Sequence, residues 1–289
     1  MPADQSYRDR LLTIYDDTIE SLEQHNIPRE VVDYRVGYRT PRRPTAAHSD
    51  FLINRQFGDW TETLLRTSFN AQVENYKAVR YGAGGNLIAG DPGFIEMFTS
   101  YHAEIRRIGK RPDLLIFDRD IKSQMNLPDD ISEFESSGLV EIARRSARAL
   151  EVRSSRYLAA RYRQVKEKDQ SFTPKLEDLP ILTHWIAEHG IPCFYTQVFF
   201  DEAYMISFEK ILEIICDTGV EHIDKVARNQ GKSTFYIPVS EGILIGQVIE
   251  NPRWTAETKY MSDGRVIIYT TPSGGKMELR REILQFLDL

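Results

Sequence analysis

The 289-residue sequence predicts an α/β (α+β) fold that ends in a β-rich C-terminal lobe. Helical patterns alternate with short apolar, strand-like runs along most of the chain. The last segments instead alternate apolar and polar residues between turns, which is typical of β-structure. We therefore divide the chain into an N-terminal helix with an Arg/Pro-rich arm (1–55), a core (56–230) and a β-rich lobe (231–289). The lobe is expected to be integrated with the core in one compact domain.

The order of elements follows from local patterns. Pro41 and Pro44 exclude a helix from the arm. One helix has clear end signals, with Asp178 as its N-cap and Gly190 as its stop. The predicted helices are 7–26, 59–76, 91–108, 131–148, 156–168, 178–190 and 205–219. The predicted strands are 76–81, 111–118, 149–155 and 191–200, and residues 171–175 are expected to be extended because of their proline.

Composition excludes a membrane-spanning protein and gives a mixed signal about nucleic acid. Hydrophobic residues make up 41% of the chain and charged residues 28%, as in an ordinary globular protein. No stretch approaches the length of a membrane span. The two cysteines, Cys193 and Cys216, lie in apolar sequence without metal-ligand spacing, so we expect buried free thiols in a reducing cytoplasm. The net charge of −6 argues mildly against nucleic acid. However, residues 142–168 are rich in Arg and Lys. Most such runs are solvated helix faces, but this one surrounds a strand with a candidate catalytic acid, where phosphates would have to bind.

Two acids at the edges of apolar strands are the main chemical signal. Asp113 opens the run in RPDLLIFD, and Glu151 lies within ALEVRSS. Residues two apart on a strand point to the same face, so Glu151 and Arg153 should project together while Leu150 and Val152 enter the core. If the two strands are neighbours, Asp113 and Glu151 converge beside a cation. Such a group suits Mg²⁺-dependent cleavage of phosphodiester bonds.

The third member of this site has two candidates. Arg153 clamps phosphate well but cannot release a proton near neutral pH, so it is a poor general base. Lys175 could reach the site from the extended segment instead, or it could be an ordinary surface residue. Glu62, on the helix from residue 59, could add a metal ligand or order a metal-bound water, but it could equally be a helix-surface acid. Glu104 is a weaker candidate than Glu62.

The sequence resembles the type II restriction endonucleases of the PD-(D/E)xK superfamily, and within them the AccI-like group. The similar segments are HSDFLINRQFGDWTE (48–62), RPDLLIFD (111–118), LEVRSSRYLAARY (150–162), SFTPKLEDL (171–179) and IPCFYTQVFFDEAYMISFEKIL (191–212). The resemblance implies a central mixed β-sheet flanked by helices, a nuclease core at 56–230 and Mg²⁺ as cofactor. It implies sequence-specific cleavage of double-stranded DNA, with Asp113 and Glu151 as metal ligands. The Lys of the superfamily pattern falls on Arg153.

A homodimeric enzyme that cuts a short palindromic site is therefore expected, because two copies of one subunit match two-fold symmetric DNA. The dimer contact could come from helix 7–26 or helix 203–216. A cognate DNA methyltransferase is expected as a genetic partner. Two alternatives remain, namely a structure-selective or repair nuclease and a DNA-binding protein that does not cleave. The DNA-binding candidates are Arg39, Arg42, Arg43, Arg156, Lys259, Arg265 and Lys276.

Overall fold

The computed structural model describes residues 5–38, 40–83, 85, 87–134, 136–218 and 233–287. The helices of these residues are α1 (Gln5–Gln24), α2 (Arg29–Val32), α3 (Ser49–Gln72), α4 (Phe94–Ile108), α5 (Arg119–Gln124), α6 (Ser136–Ala143), α7 (Ala159–Lys166), α8 (Asp178–His189) and α9 (Phe208–Thr218). Two short 3₁₀ helices follow, at Val239–Glu241 and Arg281–Phe286. Within these ranges, no helix is both long and apolar enough to cross a membrane.

The strands build a large central sheet and two small ones. The strands are β1 (Tyr76–Arg80), β2 (Leu114–Asp118), β3 (Arg148–Ser154), β4 (Ser171–Phe172), β5 (Cys193–Val198), β6 (Glu202–Ser207), β7 (Ile237–Pro238), β8 (Ile243–Glu250), β9 (Arg253–Tyr260), β10 (Val266–Ser273) and β11 (Lys276–Leu279). The central sheet has the order β1-β2-β3-β5-β6-β8-β11. Its β3–β5 pair is parallel and its other pairs are antiparallel, so the predicted mixed sheet is confirmed.

Helices cover both faces of the central sheet, as the resemblance implied. On one face, α1, α8 and α9 bury an apolar core that includes Leu115, Phe117 and Tyr195 of the sheet. On the other face, α3 packs against a second core that includes Leu150 and Val152. Side chains at neighbouring positions along a strand therefore pack into opposite cores, because side chains alternate between the two faces of a sheet. This alternation decides which residues of β3 can reach the candidate site.

The C-terminal strands do not stay apart from the core. β8 pairs with β6 and β11 pairs with β8, so both extend the central sheet. β9 and β10 form a separate two-stranded ribbon that packs on α3. Ile267 and Met261 of this hairpin bury a small third core with Leu52 of α3.

Several predicted boundaries were wrong for identifiable reasons. The helix predicted from Asp59 begins at Ser49, where His48 Nδ1 accepts a hydrogen bond of 3.3 Å from the Phe51 N–H. Gly58 obscures this in the sequence, because glycine disfavours a helix interior. The helix predicted at 131–148 ends at Ala143, and Arg148 pairs instead with Ile116 of β2. Residues 205–207 were predicted as helix but belong to β6, because strands on both sides pair with them.

The two helices suggested for a dimer contact pack against each other within one subunit. Thr18 Oγ1 on α1 donates to the Leu212 carbonyl on α9 at 3.1 Å, and Ser21 Oγ donates to the Cys216 carbonyl at 2.8 Å. Their apolar residues belong to the α1–α8–α9 core described above. These apolar faces are therefore already covered in the monomer.

Candidate active site

The pairing of β2 with β3 brings the two predicted acids together. Asp113 immediately precedes β2, and its Oδ2 accepts a hydrogen bond of 2.6 Å from the Val152 N–H, next to Glu151. Leu114 lies opposite Leu150 in the antiparallel register. Asp113 and Glu151 thus meet at adjoining strands, as the sequence predicted under the condition that the strands were neighbours.

Gly82 allows the loop after β1 to approach Asp113 closely. The Tyr81 and Gly82 N–H groups donate to the Asp113 carbonyl at 2.9 Å and 3.0 Å. A Cβ on Gly82 would lie 3.0 Å from Asp113 Cα and 3.2 Å from its Oδ1. That approach is too close for most side chains, so the glycine-rich segment after β1 is part of the support of this acid.

Glu151 is almost completely buried and its two oxygens have different surroundings. Only 1% of the residue is exposed. Its Oε1 lies 3.0 Å from Arg153 Nη2 and also pairs with the Lys110 ammonium. Its Oε2 has no hydrogen-bond partner among the residues that the structure describes. A buried carboxylate oxygen without a partner is costly, so a ligand at this point would remove that cost.

Arg153 connects three elements of the fold, namely β3, β5 and α8. It lies on the same face of β3 as Glu151, as predicted from their spacing, and its Nε donates to Tyr195 Oη on β5 at 3.0 Å. Its Nη2 also binds the Asp178 carboxylate at the start of α8. The prediction of Asp178 as the N-cap was wrong. Glu177 occupies that position without a side-chain cap, and Asp178 uses its carboxylate on Arg153 because it lies in the first turn beside β3.

Lys110 is the site residue that sequence reasoning missed. It follows Gly109, whose φ of 80° ends α4 and whose absent Cβ would lie 2.2 Å from the Trp185 nitrogen on α8. This close approach lets the Lys110 N–H donate to the Ile181 carbonyl at 2.9 Å. Its side chain then reaches Glu151. No local pattern indicates this contact, because it depends on how α4 and α8 pack.

The acids of the site repel one another in a poorly solvated environment. Burial, followed by the negative charge of Glu151, raises the pKa of Asp113 to about 7. Burial and the charge of Asp113 raise the pKa of Glu62 to about 9. Burial would lower the pKa of Lys110, but the negative charges of Glu151, Asp178 and Asp113 together outweigh it and raise the pKa. Perturbed groups of this kind cluster at functional sites.

The structure places Glu62 near the acids and Glu104 in a structural ion pair. Glu62 lies on α3, 3.7 Å from Arg80 Nε on β1, and the charges of Asp113 and Glu151 both act on it. Glu104 binds the buried Arg111 instead, whose Nη1 also donates to the Ser132 carbonyl at 3.1 Å. Glu62 is therefore the better candidate of the two.

Lys175 lies on the α8 side of the site. It forms no side-chain hydrogen bond or ion pair with any residue that the structure describes. Burial, followed by the charge of Arg153, lowers the pKa of Lys175. Asp178 and Glu177 are the acids that oppose this shift. Lys175 is thus a neighbour of Arg153 and Asp178.

The predicted DNA-binding residues fall into two groups. Arg42, Arg43, Arg156 and Lys276 have exposed side chains, although Lys276 lies on the edge strand β11, far from β3 in the strand order. Lys259 is instead paired with Asp91 at 2.7 Å. Arg265 is paired with Asp263 at 2.7 Å, and it donates to the Ala47 carbonyl at 3.0 Å. Arg39 lies outside the described residues.

Asp113 and Glu151 are suitable ligands for a divalent ion with oxygen ligands. Mg²⁺ is usually held by one or two carboxylates together with water and substrate phosphate. The partnerless Glu151 Oε2 and the raised pKa of Asp113 are both consistent with such a set. In the part of the chain that the structure describes, no three His, Cys, Asp or Glu side chains form a complete metal-binding group. An ion here would therefore need water or phosphate oxygens as further ligands.

Comparison with known proteins identifies the family of this chain. The family model of the AccI restriction endonuclease matches residues 12–171 and 163–288, which together span nearly the whole chain. No curated protein and no solved structure matches the sequence. The chain therefore belongs to the AccI restriction endonuclease family, whose members are nucleases that act on DNA.

Proposed function

We propose that the protein is a type II restriction endonuclease with a PD-(D/E)xK site, which hydrolyses double-stranded DNA at a short palindromic sequence and uses Mg²⁺. One observation carries this proposal. Asp113 and Glu151 converge at the start of β2 and within β3, and the buried Glu151 Oε2 has no partner among the described residues. The family match supports DNA as the substrate.

In this proposal, Asp113 and Glu151 hold the ion and the surrounding cations hold phosphate. A bound Mg²⁺ would polarise the scissile phosphate and lower the pKa of the attacking water. Hydrolysis forms a bond from the water oxygen to phosphorus and breaks the bond from phosphorus to the leaving sugar oxygen. The water loses a proton and the leaving oxygen gains one. Glu62, whose pKa is raised by burial and by the charge of Asp113, would exchange a proton with water at the site.

A homodimer would let each subunit cut one strand of a symmetric site. Arg42 and Arg43 in the arm and Arg156 after β3 are exposed cations that can contact phosphates or base edges. A cognate DNA methyltransferase would protect the host DNA from this activity.

The test is digestion of plasmid DNA with the purified protein and Mg²⁺, followed by sequencing of the ends. We expect discrete fragments whose ends share one palindromic sequence, and no cleavage with EDTA. The variant Glu151→Gln, purified in the same way, controls for contaminating nucleases and should be inactive. A smear of fragments would favour a structure-selective or repair nuclease. Tight binding to one sequence without any cleavage would favour a DNA-binding protein.

A further inference from the structure

Two cations, Lys110 and Arg153, pair with Glu151, and Lys175 lies beside Arg153; they differ in how many elements of the protein hold them. Arg153 is the most committed. Its Nε binds Tyr195 Oη at 3.0 Å, and its Nη2 binds both Asp178 and Glu151. Tyr195 Oη in turn donates to the Thr173 carbonyl at 2.9 Å, so the guanidinium is held in a fixed frame. Moving Arg153 to a phosphate would break contacts to β5 and α8 together.

Lys175 is poorly placed for the reaction. The acids that act most strongly on it are Asp178 and Glu177, both at the start of α8, whereas Lys110 is acted on most strongly by Glu151. Lys175 also forms no side-chain hydrogen bond or ion pair with Glu151 or with any other residue that the structure describes, so no contact ties it to the carboxylate that would hold the ion.

Lys110 combines a fixed backbone with an ammonium group whose one described partner is Glu151. Its N–H is held by the Ile181 carbonyl, and Gly109 fixes the turn that carries it. Its Nζ has one partner among the described residues, Glu151 Oε1. An ammonium group has three donors, so two of them can bind other oxygens. Its side chain is 14% exposed.

We propose that Lys110 is the catalytic cation of this site, which contacts the scissile phosphate, and that Arg153 is a positioning residue for Glu151. The inference rests on the proposed function. It concerns the position at which the superfamily pattern has Lys and this chain has Arg153. Lys110 reaches the same carboxylate from the loop before β2, and thus supplies a lysine from a different place in the sequence.

The two oxygens of Glu151 make this arrangement chemically consistent. Oε1 binds Lys110, and Oε2 is left for the divalent ion. One carboxylate would then hold both the ammonium group and the ion, so both positive charges would act on a phosphate bound at the site. Negative charge grows on the phosphate oxygens as the water attacks. A cation that is already in place stabilises that charge without rearrangement.

The experiment compares Lys110→Gln with Lys110→Arg in single-turnover cleavage with Mg²⁺. Glutamine can still donate a hydrogen bond to Glu151 but carries no charge, whereas arginine keeps the charge. We expect Lys110→Gln to cleave about 100-fold more slowly than wild type, and Lys110→Arg to recover at least about tenfold of that loss. Lys122→Gln is the matched control. Lys122 lies on α5, its side chain is about as buried as that of Lys110, and it also pairs with an acid, Asp129, at 2.9 Å. This variant should cleave at the wild-type rate.

Binding of Mn²⁺ to the DNA-free protein, measured by calorimetry, separates catalysis from a structural role. Lys110→Gln should bind Mn²⁺ at least as tightly as wild type, because it removes a positive charge beside Glu151. Loss of Mn²⁺ binding would overturn the inference by making Lys110 only a structural support of Glu151. Wild-type cleavage rates in Lys110→Gln, or a larger loss in Lys175→Gln, would overturn it as well. A wild-type protein that cleaves no DNA would overturn the proposed function and the inference with it.

Discussion

Two networks of acids and arginines in this protein contain similar residues, but the pKa values of their acids are shifted in opposite directions. Around Asp33, next to α2, every acceptor is used. Asp33 Oδ1 accepts from the Arg35 N–H at 3.0 Å and from Arg35 Nε at 2.8 Å, and Oδ2 accepts from Arg29 Nε at 3.0 Å. Burial would raise the pKa of Asp33, but the hydrogen bonds from Arg35 and Arg29 outweigh it and lower the pKa.

In the network around Glu151, by contrast, not every carboxylate oxygen accepts a hydrogen bond from a residue that the structure describes. Glu151 Oε2 lacks a partner among the described residues, and the pKa of Asp113 and that of Glu62 are raised to about 7 and about 9. The Asp33 network therefore stabilises the fold by itself, whereas the Glu151 network keeps one acceptor for the divalent ion that we propose. The difference teaches that unsatisfied acids, more than acids as such, identify the functional site.

The largest expected effect separates activity from stability at Asp113. Asp113→Asn should slow cleavage by about 1,000-fold or more, because it removes a ligand of the divalent ion in the proposed mechanism, a contact worth several kcal/mol in the transition state. The same variant should not be less stable than wild type at pH 8, because it removes an acid that burial and Glu151 disfavour. Plasmid cleavage and thermal unfolding measure the two quantities. A variant that is inactive because it is unfolded would contradict this prediction.

The opposite pattern is expected at Asp33. Asp33→Asn should lower the free energy of unfolding at pH 7 by about 2 kcal/mol, because it weakens hydrogen bonds to charged groups. The folded pKa of Asp33 is lowered, so its stabilisation is present above the unfolded pKa and is lost as the pH falls through the folded value. The difference between variant and wild type in denaturant unfolding should therefore shrink below about pH 4. Cleavage by the folded variant should match that of wild type.

Sequence patterns predicted the half of the site that depends on local geometry. The two-residue spacing of Glu151 and Arg153 places both on one face of β3, because side chains alternate along any strand. The position of Asp113 beside Glu151 required the further assumption that β2 and β3 are neighbours, and their pairing supports it.

Contacts between distant segments could not be predicted in this way. Lys110 reaches Glu151 only because Gly109 allows α4 to approach Trp185 of α8. Asp178 has the sequence signature of an N-cap, and it binds Arg153 because α8 begins beside β3. The β-rich lobe was expected to be integrated with the core, but the sequence did not indicate that β8 would pair with β6 and β11 with β8. Each of these outcomes depends on tertiary packing, which no local pattern encodes.

Metal affinity should depend on pH in the range where Asp113 titrates. The pKa of Asp113 is raised to about 7, so below that pH a divalent ion must displace a proton from it. The affinity for Mn²⁺ should rise by up to about tenfold between pH 6 and pH 7 and then change less steeply. Calorimetry at several pH values, in buffers with different heats of ionisation, would also count the released protons. The same affinity at pH 6 and at pH 8 would contradict the raised pKa.

The smallest expected effect is a gain of stability at Glu62. Its pKa is raised to about 9 in the folded protein, so the folded state binds a proton that the unfolded state releases above about pH 4.5. Stability of the wild type therefore falls as the pH rises between these values, and Glu62→Gln should escape this loss because glutamine does not titrate.

We expect Glu62→Gln to melt a few degrees higher than wild type at pH 8, which corresponds to about 1 kcal/mol in a domain of this size. At pH 4 the two proteins should melt at the same temperature. Glu209→Gln is the control, because Glu209 pairs with Arg10 at 2.9 Å on α9, away from the site. It should give no gain at pH 8. If Glu62→Gln were less stable than wild type at pH 8, the ion pair of Glu62 with Arg80 would outweigh its burial, and Glu62 would belong with Asp33 among the satisfied acids.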